Sequence, residues 1–536
     1  MVGLIDTTTA VETPRPRAIT RAWNPQTWSP VLHAGFFGIL AFVLRIPFLF
    51  RYDLHFAGDS ATCYLMALRI TRGDRPFYFY GQDYQGALEA YLAAPLVKAF
   101  GPSIPIVAIF SLFEWSLATG IGIYLARRAG NPMSATIAGI VTAVGVPFTL
   151  HFVTVPFWGY PGSLLIAMLV LLEALLMIER GPSLSRVLVF GGTVGVGLYV
   201  GKQCIPAVLT ALVAMAVVRT ARWNLREALR PAYIAAAAVA AAAGYLPEIV
   251  YRLQHPQWRS FFRIASFPTL RANAENVVWS IAAYFDAQPV SRMPEGTHFF
   301  SRSPTSLVFP ADTADTALLG MAAATLLLAA TGMVRAYARG TTASLLLGLA
   351  LFANIAAVVA SRESGGWFIN TRRYLYPSAI LFSIWTGFLM ATIARAKWKP
   401  VSACGWLLLT LFVGRVGMHE YRLLSSEDEL RELRSIVQDL RAQGLTRGVA
   451  SWGYALTIDA LTNEQIVIAA QEGGRVEEYD RRVSEAERIA VIGPNDNGVA
   501  KDVVVRGSVF SAIAAPHQGE TLQWAVYRKR LSTLDP

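Results

Sequence analysis

The informative stretch of the chain runs from His55 to Ser103 and reads HFAGDSATCYLMALRITRGDRPFYFYGQDYQGALEAYLAAPLVKAFGPS. Within it the carboxylates Asp59, Asp74, Asp83 and Glu89 stand among Arg69, Arg72 and Arg75, with Tyr80 and Gln82 between them. A carboxylate suits removal of a proton from an attacking acceptor group. Guanidinium groups suit the charge that grows on a departing phosphate. Transfer of a sugar from a polyprenyl-phosphate carrier asks for this pair of functions and for no nucleotide. In keeping with that, no glycine-rich phosphate loop follows any of the strand-like runs of the chain.

These groups have to be held at headgroup depth. Leu65, Leu68 and Ile70, and then Leu88, Tyr91, Leu92 and Leu96, recur at helical spacing in segments too short and too polar to span a bilayer. Both segments are expected to lie along the interface. The rest of the chain supplies the membrane. With 536 residues, 54% hydrophobic and 15% charged, and mean hydropathy +0.41, it has too little polar surface for an ordinary soluble protein. Apolar stretches near 31–50, 104–126, 134–150, 162–178, 187–201, 203–218, 233–253, 317–334, 342–361, 375–394 and 401–418 predict about eleven membrane helices. The pair 187–218 must turn at Lys202 and Gln203. The first stretch follows a polar lead with no clear small-residue cleavage site, so it reads as a span and not as a removed signal.

Arginines and lysines in the short loops, among them Arg127, Arg128, Arg219, Arg222, Arg335, Arg339, Arg395 and Lys397, fall on one side, which is placed in the cytoplasm. The expected organisation is a cytoplasmic tail over 1–30, a membrane module over 31–418 and a small extracytoplasmic α/β domain over 419–536. The long loops 51–103, 254–316 and 362–374 then lie outside with that domain. In the tail, Ser426 with Glu429 matches a capping box, and Leu430, Leu433, Ile436, Val437 and Leu440 form the stripe of the helix that would follow. Strands are predicted over 448–452, 465–470, 488–493 and 522–528. The net charge of +11 is accounted for by the topological bias and by phosphate-facing residues, so no nucleic-acid partner is inferred. Cys63, Cys204 and Cys404 have neither disulfide nor metal-ligand spacing.

GDSATCYLMALRITRG, YGQDYQGALEAYL followed by FGPS, and RRYLYP before a late span together make residues 30–400 similar to the GT-C glycosyltransferases. That superfamily includes protein O-mannosyltransferases and lipid A aminoarabinose transferases. The chain most resembles its bacterial dolichyl-phosphate-mannose-protein mannosyltransferase-like group. The resemblance implies a polytopic helical fold in a bacterial plasma membrane, with the active site on the extracytoplasmic side. It also implies an inverting transfer from a polyprenyl-phosphate sugar to a glycan, lipid or protein acceptor. Asp59 takes the position of the catalytic carboxylate. Arg372 and Arg373, with Lys202, are candidates for the donor phosphate, while Tyr80, Gln82, Asp83, Glu89, His151 and Tyr374 are candidates to line the site. No cofactor is called for, and dependence on a divalent metal stays open. Two features depart from the family. Ser60 stands where many members carry a second acid beside the first, and the loop HFVTVPFWGYPGS offers His151 but no carboxylate.

Each candidate also has a structural reading. Asp59 suits an N-cap of a helix over 60–72, Asp83 and Glu89 suit solvated loop acids, Arg372 and Arg373 suit interface anchors, and Lys202 suits snorkelling. Glu114 and Glu173 fall inside predicted spans, toward the middle or inner half, and are read either as structural pairings or as a sign that the spans are bounded differently. Trp258, Trp279, Tyr284 and His298 suit either sugar stacking or a membrane belt. His55, His151 and His298 do not cluster in the sequence. Two rival functions are a polyprenyl-linked substrate transporter, against which the lack of an internal repeat argues, and a non-catalytic scaffold of envelope glycan assembly.

Overall fold

The computed structural model describes residues 25–54, 56–82, 84–145, 147–218, 225–255, 265–283, 311–362, 373–471, 475–495, 502–513 and 515–530. Helix boundaries follow local chemistry. Ser29, Asn131 and Ser183 each accept a backbone N–H of the following first turn, and Pro30 and Pro132 stand where a helix has no N–H to lose.

Among the described residues seven helices are long and apolar enough to cross a membrane: Pro30–Leu49, Ile104–Ala129, Tyr160–Arg180, Gly320–Arg339, Thr342–Ala360, Tyr376–Ala394 and Lys399–Leu424. An eighth arises if Pro231–Gly244 and Leu246–Gln254, bent by 62°, form one span. The other three predicted stretches are helical but short, at Pro132–Val144, Leu184–Val200 and Lys202–Val217. The expected number of eleven therefore rests on helices that length alone does not carry across. Leu184–Val200 shows why a short, glycine-rich helix is stable. Its Gly191 and Gly195 sit so close to Pro231–Gly244 that an added Cβ would fall 2.4 and 2.1 Å from the carbonyl oxygens of Ala237 and Ala241. Small residues let these backbones touch where lipid gives no hydrophobic drive.

Beyond the last span a sheet closes the chain, in the order β2-β1-β3-β7-β5-β4. Its strands are β1 Arg447–Ala450, β2 Val467–Ala470, β3 Arg488–Pro494, β4 Asp502–Val505, β5 Ser508–Ala512, β6 His517–Gln518 and β7 Leu522–Lys529. β1 is parallel to β2 and β3, whereas β7 runs antiparallel to β3, β5 and β6. The four predicted strands match β1, β2, β3 and β7, and β4 to β6 are additional. The stripe Leu430 to Leu440 is buried as expected. Its capping box is not formed: the helix Arg431–Ala442 starts later, with Leu430 as its cap residue. The Ser426 hydroxyl instead donates to Leu423 at the end of the preceding helix.

The two short segments of the first long loop are helices, Asp59–Thr71 and Leu88–Phe100. The first does not lie on lipid. Ser60 to Leu68 are all buried, because the sheet domain's helix Trp452–Leu461 covers it from above and the spans support it from below. Arg51 ties the same loop to the last span: it pairs with Asp53 at 3.0 Å and donates to the carbonyls of Leu423 and Leu424.

Candidate functional site

Asp59 opens its helix, after Gly58 as the N-cap residue. The turn is closed by its neighbour, since the Ser60 hydroxyl bonds both the N–H and the carbonyl of Ala57 at 2.9 Å. Ser60 thereby does the local work for which Asp59 was the alternative, and the Asp59 carboxylate is left for tertiary contacts. It meets two guanidinium groups. Arg373 Nη2 lies 2.8 Å from Oδ2, and Arg475 Nη1 lies 2.6 Å from Oδ1. Asp59 is 14% exposed, which leaves it reachable.

Arg373 is in turn fixed by Tyr160, whose hydroxyl accepts from Nε at 3.0 Å and whose ring lies 5.5 Å from the guanidinium carbon. Tyr160 is placed by side chains of the first long loop. Gln85 Nε2 donates to the Trp158 carbonyl at 2.8 Å, and the Trp158 N–H points at Cys63 Sγ at 3.4 Å. Gly159 N–H donates to both Glu89 oxygens, at 2.9 and 2.7 Å. Gly159 has φ +82°, and a Cβ there would strike the Gln85 amide 2.5 Å away, so this turn requires glycine. Two consecutive residues, Trp158 and Gly159, are thus gripped just before the span begins at Tyr160.

Glu89 is 2% exposed and does not face open space. It lies against Glu114 across Gly162, where an added Cβ would come within 2.3 Å of one carboxyl and 3.1 Å of the other. Burial raises the Glu89 carboxyl well above its ordinary range. Glu114 is therefore paired, as anticipated, but with a loop residue next to the site and not in the inner half of the bundle. Glu173, also within a span, accepts from Thr193 Oγ1 at 3.0 Å.

Tyr80 turns away from Asp59: its hydroxyl donates to Asp74 at 2.8 Å. Gln82 keeps a buried amide oxygen that has no partner among the described residues. Asp83, Arg372, His55, Trp258, Tyr284 and His298, together with the side chains of His151 and Trp279, lie outside the described residues. Among the described residues no three His, Cys, Asp or Glu side chains come together in a metal-like group.

Lys202 does not touch Asp59 directly. Its ammonium bonds the Leu198 carbonyl at 2.8 Å and Glu248 at 3.3 Å, and Glu248 also holds Arg252 at 2.7 Å. It opens onto a cavity of about 440 Å³ whose other walls include Gln203, Leu209, Asn354, Ala357 and Tyr374. The cavity is largely apolar, and its wall residue Gln203 lies within electrostatic reach of Tyr160. Asp59, Arg373 and Tyr160 form a bonded polar group, and Tyr374, the residue after Arg373, carries the chain onto the wall of this greasy pocket.

Two site residues escaped the sequence reading. Tyr84 lies within electrostatic reach of Asp59, Tyr160, Arg373 and Arg475. Arg475 comes from the distant sheet domain. Its guanidinium stacks 4.5 Å from the Trp452 ring and 5.3 Å from Phe79, and its stem lies over Gly81. Nothing in the local run QEGGRVEEYD distinguishes it from a surface arginine.

No protein-family model matches the chain, and no curated protein matches it. Solved structures do. ArnT of Cupriavidus metallidurans bound to undecaprenyl phosphate superposes with TM-score 0.53 at 13% identity, covering 92% of this chain and 97% of that one. The same protein in its apo state gives 0.54 at 12% identity with the same coverage. The archaeal oligosaccharyltransferase AglB of Archaeoglobus fulgidus, in complex with an inhibitory peptide and a dolichol-phosphate, gives 0.51 at 14% identity over 85% of this chain and 69% of that chain. The bundle of apolar helices and the sheet domain that set Asp59 between two arginines therefore share the fold of these solved structures.

Proposed function

We propose that the chain is a membrane glycosyltransferase that moves one sugar, with inversion, from a polyprenyl-phosphate carrier to an acceptor. It would work on the extracytoplasmic face of a bacterial plasma membrane, with the sheet domain on that side. The observation that carries this reading is the continuity of the Asp59–Arg373 pair with the apolar cavity at Lys202 and Tyr374. A prenyl chain needs a greasy slot, its phosphate needs cations, and the acceptor needs a base, in that spatial order. The two similar structures holding undecaprenyl phosphate and dolichol-phosphate support the same class of donor.

In the proposed reaction Asp59 takes a proton from the acceptor group as that atom bonds the anomeric carbon. The bond from that carbon to the phosphate oxygen breaks, and its electron pair leaves on the polyprenyl phosphate. Arg373 stabilises that growing charge, and Lys202 stands at the slot to hold the phosphate in register. Glu89 acts at one remove, fixing Gly159 and so Tyr160 and Arg373. With one carboxylate at the reacting position, direct displacement inverts the sugar.

The test uses the full chain in lipid nanodiscs with a panel of undecaprenyl-phosphate hexoses and pentoses, following release of undecaprenyl phosphate. Consumption of one of these donors by the wild type, lost in Asp59→Asn, is the expected result. Full turnover in Asp59→Asn would remove Asp59 as the base, and no turnover of any donor by the wild type would favour a non-catalytic role.

A further inference from the structure

We infer that Arg475 is a ligand of the donor phosphate, supplied to the membrane site by the sheet domain, and that it holds Asp59 until the donor arrives. This inference rests on the lipid-phosphate reading above. Its geometry is that of a built socket. The stem of Arg475 fits where Gly81 has no side chain: a Cβ at Gly81 would lie 2.4 Å from its Cγ. Trp452 and Phe79 hold the guanidinium from the domain side and the loop side. Trp452 itself fits over Gly58, where a Cβ would come within 2.6 Å of the indole. The result is a half-enclosed cation, 18% exposed, aimed at the carboxylate oxygen that Arg373 leaves free.

Charge balance gives the arrangement its purpose. Asp59 with Arg373 and Arg475 carries one surplus positive charge, which a singly charged sugar phosphodiester neutralises. During transfer the acceptor proton moves to Asp59, which becomes neutral, while the leaving phosphate gains a second negative charge. The two guanidiniums lose their carboxylate partner at the moment the phosphate needs both of them, and the total charge of the site stays constant. A single arginine would leave that phosphate half matched. With a guanidinium on each oxygen, the same contacts keep the carboxylate occupied before the donor binds.

The experiment measures binding of undecaprenyl phosphate and of undecaprenol to the full chain in nanodiscs, in wild type, Arg475→Ala, Arg475→Met and Arg475→Lys. Loss of one charge-assisted contact weakens undecaprenyl phosphate about ten- to hundredfold, leaves undecaprenol unchanged, and is partly rescued by Lys, which keeps the charge without the fork. Arg475→Met keeps the stem over Gly81, so an equal loss in Met and Ala at an unchanged melting temperature separates charge from packing. Phosphate binding should also change the indole emission of Trp452, a signal absent in Trp452→Phe and in Arg475→Met. If the wild type prefers the phosphate but Arg475→Met binds it as tightly, the inference is overturned and the proposed function stands. If the wild type does not distinguish phosphate from alcohol, the lipid-phosphate reading fails and the inference falls with it.

Discussion

Among the described residues one carboxylate, Asp59, faces two arginines, whereas about 15 Å along the same helix three arginines face three carboxylates. There Arg69 pairs with Asp74 at 2.7 Å, with Glu464 at 3.1 Å and with Glu478. Arg72 pairs with Glu464, and Arg482 with Glu478 at 3.8 Å. Tyr479 and Tyr80 donate to Glu464 and Asp74, and Tyr64 donates to Asn463 at 2.5 Å. Asn463 and Glu464 adopt positive φ, 51° and 63°, to make these contacts. Both clusters join the first long loop to the sheet domain. The balanced one has nothing left to bind, and its chemistry is spent on docking. The unbalanced one keeps a net positive charge beside an apolar slot, which is a reason for an anion to come.

The comparison breaks if both clusters respond alike to mutation. Asp59→Asn should lower sugar transfer about 10²- to 10⁴-fold, the range for a general base, and leave the melting temperature within a few degrees of wild type. Arg69→Ala should do the reverse in kind. It strands Glu464 and its neighbours at a buried interface, at a cost of about 3–5 kcal/mol, seen as a lower melting temperature and rapid proteolysis between the last span and β1. Some activity is lost as well, because Arg475 travels with the domain. If Asp59→Asn unfolds the protein as readily as Arg69→Ala, Asp59 belongs with the docking residues.

A smaller effect tests the link between the two regions. Gly81 has φ +71° and lies under the Arg475 stem. Gly81→Ala costs about 1–2 kcal/mol for the left-handed backbone and pushes Arg475 off Asp59. Transfer should fall about tenfold, with docking intact by proteolysis. Unchanged kinetics would mean that Arg475 is not held by this turn.

Much of this was written locally in the sequence. Helix length, apolar content and the acidic loop all follow from the run of residues, as does the stripe from Leu430 to Leu440. What could not be read was the covering of Asp59–Thr71: its leucines look amphipathic, and only the sheet domain, almost 400 residues on, turns an interfacial helix into a buried one. Arg475 was hidden for the same reason, since its meaning lies in Gly58, Gly81 and Trp452 and not in its own neighbours. Tyr80 was drawn to the wrong cluster because Asp59 and Asp74 are equally acidic in sequence, and spacing does not say which arginine each will meet. The role of Ser60 as the turn-closing residue was legible in hindsight from its place three residues after Ala57 in the run Ala57-Gly58-Asp59-Ser60, a pattern that frees the preceding aspartate.

The smallest effect concerns pH, and it has opposite signs in the two regions. Arg69 pulls the Glu478 carboxyl below its ordinary range, and at Asp74 the raising effect of burial is outweighed by Arg69 and the Tyr80 hydroxyl, so it too is held low. A carboxylate with a depressed folded pKa contributes stability above its unfolded pKa and loses it as pH falls through the folded value. Docking should therefore be constant from pH 8 to 5 and loosen only below about pH 4. Glu478 is 36% exposed, so Glu478→Gln costs less than about 1 kcal/mol after solvent screening, and its acid limb is shallower. Glu89 behaves oppositely: burial raises its pKa, the cost of ionising it is present at high pH, and protonation relieves that cost as pH falls. Between pH 8 and 6 the wild type should gain a few degrees in melting temperature that Glu89→Gln, already uncharged, does not gain, while hydrogen exchange at residues 463–464 stays flat. A flat wild-type curve in that window would show that Glu89 is not carrying the buried charge on which its grip of Gly159 depends.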